Sequence, residues 1–260
     1  EATARAAALG ETTMADAANT LTSIMNSYQI AAADMLDITD KISAVGSDSA
    51  ADFGEMSQAI EKVASSAATA GLDIDHLMGY LGKMIEVTRE APTNIGTAMK
   101  TIVSRMAELK ADPAKVLEDG TDLNRVETAL KSVGIQLLDA TGNIRPLSEV
   151  IDELGTSWED LSRNHQAYLA TIIAGNRQQS RFLALMNDYD RTLELVESAQ
   201  DSTGRSAQQF RNYLTGTQAT LDELKVQGEE FLTQLTQGNG AIRTLYQSLS
   251  GILSLANKLG

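Results

Sequence analysis

Three groupings in this chain carry the residue types from which a metal or hydrolytic centre is built. Asp73, Asp75 and His76 stand close enough for a metal or acid-base site. They also precede Leu77, Met78, Leu81 and Ile85, a helical apolar pattern, and a carboxylate at a helix start caps backbone N–H groups and faces the positive end of the dipole. Asp34, Asp37 and Asp40 recur every three residues opposite Met35, Ile38 and Ile42. That spacing reads as a solvated helix face, since a metal cluster needs His or Glu partners from another helix and none is identifiable. Glu149, Asp152 and Glu153 offer paired carboxylates of the kind sugar hydrolysis needs, but adjacent surface carboxylates on a helix are much the commoner explanation.

Other chemistries fail on spacing. Asp139 to Gly142 begins like a calcium loop, yet Gly142 falls at the fourth position instead of the sixth, and Val150 stands where a bidentate Glu is required. Gly79 to Lys83, GYLGK, lacks the spacing and the following Ser or Thr of a phosphate-binding loop. His165 has only Arg163 and Tyr168 nearby, with no cysteine in the chain and no serine elbow, so no nucleophile-base pair can be assembled. Arg177 and Arg181, one helical turn apart, suit an anion, but such arginines are more often solvated or paired with an acidic neighbour. No catalytic residue, metal or cofactor is expected.

The elements that hold these residues are helices. Apolar residues make up 43% of the 260 but aromatics only 4%, with 3 prolines, which favours helices packed through Ala, Leu, Ile and Met. Met14, Ala17, Leu21, Ile24, Met25 and Tyr28 share one helical face, as do Met35, Ile38, Ile42 and Val45. Asp52 with Glu55 reads as a capping box before Met56, Ile60, Val63 and Ala67, and Gly71 closes that helix. After Pro92, Ile95, Met99, Ile102, Met106 and Leu109 mark another. Beyond a break at 111–120, with Pro113 and Gly120, helices are expected around Leu123–Leu130, Val150–Leu161, Gln166–Ala174 and Arg177–Met186. Trp158 should anchor this part of the core, with a partner for its indole N–H.

Net charge is −14, from 21 basic and 35 acidic residues, without a block of basic residues. Direct nucleic-acid binding and attraction to an anionic membrane are therefore disfavoured. The longest apolar run, near Leu169 to Ala174, is too short to span a bilayer. Both ends look cut, since the chain opens at Glu1 without Met and stops at Gly260 just after an apolar pattern.

Val133 to Leu147, VGIQLLDATGNIRPL, is the stretch that does not read as helix. Gly134 stops a helix, Ile135, Leu137 and Leu138 favour an extended run, Asp139 to Asn143 supply turn chemistry, and Pro146 suits a new helix start. A small hairpin is expected. Together with LSEVIDEL after it, Ala174, Gly175, Asn176 and Arg177 in AGNRQQ, Ala70 to Ile74, and Asn94 to Met99, this stretch resembles the core of phage tail tape-measure proteins. The likeness runs from about Gly10 to Gly204 and lies in the order of the pieces, each weak alone.

That resemblance implies a structural part in a phage or prophage tail: setting tail length in the tail tube, then leaving it during DNA delivery. It implies tail tube proteins, tail assembly chaperones, tail tip proteins and further copies of the chain as partners. It also implies the lumen of the virion tail, and the host cytoplasm during assembly, as locations. The alternatives are a helical bundle of a bacterial signalling or secreted interaction protein, which gives no reason for the order of the motifs, and part of a cell-wall hydrolase.

The expected fold is mainly α: a multi-helix bundle with one small β-hairpin insertion and a long C-terminal heptad-patterned helix or helical hairpin. Its divisions are 1–110, an N-terminal bundle; 111–203, a helical region with the hairpin near 135–146; and 204–260, long coiled-coil-like helices. In the last, Phe210, Leu214, Thr217, Leu221, Leu224, Gly228, Phe231 and Leu235 alternate four and three apart, a seam for a partner helix. That partner is the segment from Ile242 to Leu259 or a second copy. Replacing Phe210 and Phe231 with Ala should each cost ~3 kcal/mol where the ring is fully buried. Light scattering distinguishes the cases: a destabilised monomer means an intrachain hairpin, and an oligomer that dissociates in the variants means interchain packing. Unchanged stability and mass would remove the seam.

Overall fold

The computed structural model of the chain describes residues 1–11, 14–107 and 125–217. Eleven α-helices follow one another among them: α1 (Ala2–Leu9), α2 (Met14–Tyr28), α3 (Met35–Asp48), α4 (Phe53–Thr69), α5 (Ile74–Thr88), α6 (Pro92–Ala107), α7 (Arg125–Lys131), α8 (Leu147–Thr156), α9 (Arg163–Ala174), α10 (Gln179–Met186) and α11 (Tyr189–Gln200). A further helix, α12, is described over 205–217. Residues 1–210 form one compact unit and 211–260 a second.

Local signals set the helix ends. The Asp52 carboxylate accepts the Glu55 N–H at 2.6 Å while Glu55 accepts the Asp52 N–H at 3.1 Å, the reciprocal box read from the sequence. Leu72 N–H donates to the Ala67 carbonyl at 3.0 Å, and Ile135 N–H to Leu130 at 3.0 Å. These six-to-one bonds close α4 at Gly71 and α7 at Gly134.

One apolar cluster runs from Ala6 on α1 to Ala199 on α11, so helices on both sides of the expected 111–120 break share a core. That break itself lies outside the described residues. The most extensive helix contacts are α4 with α6 and α5 with α11, with α3 and α10 also against α5. Trp158 is buried, edge-to-face on Phe182 at 5.9 Å, and its indole N–H donates to Asn187 Oδ1 at 3.1 Å.

At two helix crossings a glycine stands where a larger residue would not fit. A Cβ on Gly96 of α6 would lie 2.3 Å from the Ala59 carbonyl oxygen of α4. One on Gly79 of α5 would lie 2.6 Å from Val196 Cγ2 and 2.8 Å from its backbone nitrogen on α11. Of GYLGK, then, Gly79 serves a helix crossing.

The expected β-hairpin near 135–146 is not formed. No strand is present among the described residues; a single antiparallel bridge joins Leu138 and Ile144. Asp139 Oδ1 captures the N–H groups of Thr141 and Asn143, both at 2.8 Å, and folds the chain back before a ladder can extend. Ile135 and Leu137 point into the helical core, and a two-residue pairing with no third strand has little to stabilise it. Helix α11 is an addition the sequence did not announce, and most of the seam, from Leu221 onward, lies outside the described residues.

Ala ordinarily improves a helix over Gly by ~1 kcal/mol. At Gly96 the clash with backbone should reverse the sign, so Gly96→Ala should lower stability by ~2 kcal/mol, within the range for overpacking. Urea unfolding of this variant beside Thr97→Ala, on the exposed side of the same helix, is the measurement. A Gly96→Ala protein as stable as the wild type would mean the α4–α6 crossing is looser than described.

Candidate functional site

Two of the acidic groupings that fail as separate catalytic sites come together in space. Asp73 caps α5, accepting the His76 N–H at 3.0 Å, and both its carboxylate oxygens also contact His76 Nδ1, at 2.8 and 2.7 Å. On the other side of the ring, Nε2 lies 3.0 Å from Asp152 Oδ2 of α8. The second Asp152 oxygen accepts hydrogen bonds from Tyr80 of α5 at 2.7 Å and Tyr189 of α11 at 2.6 Å. One histidine and one carboxylate thus join α5, α8 and α11.

Burial works against a charge on His76, but hydrogen bonds and charge from Asp152 and Asp73 outweigh it and hold its pKa up at about 10. The same bonds overcome the cost of burial at Asp73 and pull it down to about 2. Asp152 is likewise lowered, against its burial, by His76, Tyr189 and Tyr80. Burial first, then the neighbouring carboxylate, pushes Tyr189 far above the ordinary phenol range, and Tyr80 moves the same way. At neutral pH the ring is an imidazolium donating from both nitrogens. It has no lone pair with which to accept a proton, and the phenols stay neutral donors. The arrangement holds a charged ring between two carboxylates.

The remaining candidates divide into joints and surface. Asp75 pairs with Lys41 Nζ at 2.8 Å. Asp34 and Asp37 are solvated as expected, whereas Asp40 is buried, which corrects the solvated-face reading for that residue. Arg145 spans Glu153 at 2.8 Å and Glu149 at 3.6 Å, while Asp152, on the same helix, faces His76 and the two phenols. Arg181 pairs with Glu90, its Nε at 3.0 Å, while Arg177 is exposed. His165 is exposed on the first turn of α9, its N–H capped by Ser162. Among the described residues no three His, Asp or Glu side chains are grouped to hold a metal ion, and no helix is long and apolar enough to cross a membrane. Of the seam, Phe210 is half-buried and Leu214 exposed; Leu221, Leu224, Phe231 and Leu235 lie outside the described residues.

Sequence reasoning located Asp73 as a cap but missed the His76–Asp152 contact, whose partners are 76 positions apart. A His and Tyr one turn apart on an apolar helix were the available signal, since buried polar groups need partners.

Fold and site together define a class: a mainly helical protein that uses partly buried charged groups to join helices. Residues 1–175 match the family model for phage-related minor tail proteins, and the chain belongs to that family. A probable tape measure protein of Escherichia phage P2 is 26% identical over 243 residues, covering 86% of this chain and 28% of that relative. A tape measure protein of Pneumococcus phage Dp-1 is 22% identical over 173 residues, covering 66% of this chain and 14% of its own length. The chain thus spans less than a third of either relative. No solved structure matches it significantly.

The clamp predicts a pH dependence with a definite sign. A histidine raised from about 6.5 to about 10 contributes stability that is complete below the unfolded value and is lost as pH rises towards the folded one. His76→Gln should cost ~2 kcal/mol at pH 6, where Asp152 and Asp73 lose their charged partner. The gap between wild type and variant, measured by urea unfolding, should close between about pH 6.5 and 10. A gap independent of pH would show that the ring is neutral.

Proposed function

We propose that the chain is the core fragment of a tape-measure protein, a structural component of a phage or prophage tail. In this reading the full-length protein sets tail length inside the tail tube and is released during DNA delivery. The observation that carries it is the family match over residues 1–175, supported by similarity to two proteins named as tape measure proteins. The helical core agrees with a structural role, because His76, Asp152, Tyr80 and Tyr189 hold three of its helices together.

The partners that follow from this role are tail tube proteins, tail assembly chaperones, tail tip proteins and further copies of the chain, with the heptad seam beyond Ala207 as the contact for a helix. Its place would be the lumen of the virion tail, reached from the host cytoplasm during assembly. The organisation into 1–110, 111–203 and 204–260 would then separate a folded core from helices that extend along the tube.

A helical ruler shortens in proportion to what is removed. An in-frame deletion of about 100 residues from a helical stretch of the full-length protein should shorten tails by ~150 Å, at ~1.5 Å per residue. Electron microscopy of the assembled particles provides the measurement. Tails of unchanged length on otherwise complete particles would rule out the ruler.

A further inference from the structure

Adjacent residues of α3 grip two opposite helix ends. Lys41 Nζ donates to the Ala199 carbonyl, in the last turn of α11, at 3.2 Å. Asp40 accepts the N–H groups of Gly204 at 2.7 Å and Ser206 at 2.9 Å, at the start of α12, and the Ser206 hydroxyl as well. Each charge therefore meets the end of the dipole it favours, and both side chains are buried. Further along α3, Asp48 takes Arg205 at 2.9 and 3.0 Å and the Ser198 hydroxyl at 2.6 Å, and the Ser43 carbonyl takes Gln209 at 2.9 Å. Arg5 of α1 closes the joint on Ser206 at 3.1 Å.

Apolar burial contributes little to this attachment. Among the described residues the core ends at Ala199, and beyond it only Ser202 and Ser206 are buried. The hydroxyls of Ser43 and Ser202 are buried without a protein partner. A segment held by charge-assisted hydrogen bonds, with little packing behind it, has the makings of a unit that opens before the rest of the fold.

We propose that residues 200–209 form a polar latch, keyed by Asp40, which releases the start of α12 from α3 while the helical core stays folded. This inference rests on the joint alone and does not depend on the proposed role in the tail. Opening frees the Gly204 and Ser206 amides and uncovers the polar face of α3 at Asp40, Ser43 and Asp48.

Native-state hydrogen exchange on the 260-residue chain tests the latch. In the wild type the Gly204 and Ser206 amides should exchange through an opening that depends weakly on urea, while Ile60 and Met99 in the core exchange through global unfolding. Asp40→Ala should speed Gly204 and Ser206 by about tenfold or more, the weight of hydrogen bonds to a charged acceptor. Ile60 and Met99 should change by less than about twofold. Arg205→Ala, which removes only the outer contact to Asp48, should speed the same two amides by less. Equal acceleration of core and joint, an Asp40→Ala chain that does not fold, or a steep urea dependence at Gly204 and Ser206 in the wild type would each show that the joint is part of the global fold and overturn the latch. So would an Asp40→Ala chain whose joint amides keep the wild-type rate.

Discussion

Helix α5 imposes the constraint on which the rest of the unit depends: from Leu77 to Ile85 every residue is buried. A helix enclosed on all sides cannot send its polar groups to water or keep a bulky side chain wherever a neighbour crosses. Gly79 gives way to Val196 of α11, and Gly82 to Val45 of α3. Tyr80 finds Asp152 and Tyr189, and Lys83 finds Asp188 at 3.3 Å. The residues that make GYLGK look like a nucleotide loop are thus the marks of a surrounded helix.

Those polar partners decide geometry more than they add stability. Taking charges out of water costs several kcal/mol per ion, which their mutual attraction roughly repays. Removing one member leaves the other unpaired, so the cost of a wrong arrangement is much larger than the gain from the right one. For α5 this means that His76 and Tyr80 penalise any rotation or slide that moves them from Asp152. Ala, Leu, Ile and Met faces alone discriminate poorly among such shifts. With aromatics only 4% of the chain, few large rings are available to fix the register by shape.

What the sequence disclosed was chemistry whose partners lie within a turn or two. The box at Asp52 and Glu55, the cap at Asp73, the stops at Gly71 and Gly134, and the need of Trp158 for an acceptor were legible, because backbone requirements there are local. Asp40 was misread because its apolar neighbours repeat as expected while its own partners lie at Gly204 and Ser206, 164 and 166 positions away. Helix α11 escaped notice because its polar residues, among them Asp190, Arg191, Glu194 and Glu197, outweigh a thin buried stripe of Thr192, Leu195, Val196 and Ala199. The hairpin was overdrawn for a related reason. Alternating apolar residues describe the direction of side chains, whereas a strand also needs a neighbour with which to pair.

The pieces that carry the family resemblance are, in the fold, mostly joints. Ala70 to Ile74 closes α4 and caps α5; Asn94 to Met99 contains the α4–α6 crossing at Gly96; Gly134 to Pro146 is a helix stop, a turn and a helix start. AGNRQQ is the corner between α9 and α10, where Gly175 takes φ 74° and ψ 162°, a conformation open in practice to glycine alone. Helix faces tolerate volume-conserving swaps, so their residues can drift without loss of the core. Positions that need a left-handed turn, a cap or a missing Cβ admit few residue types. A chain built from many short helices is therefore most narrowly constrained at its corners.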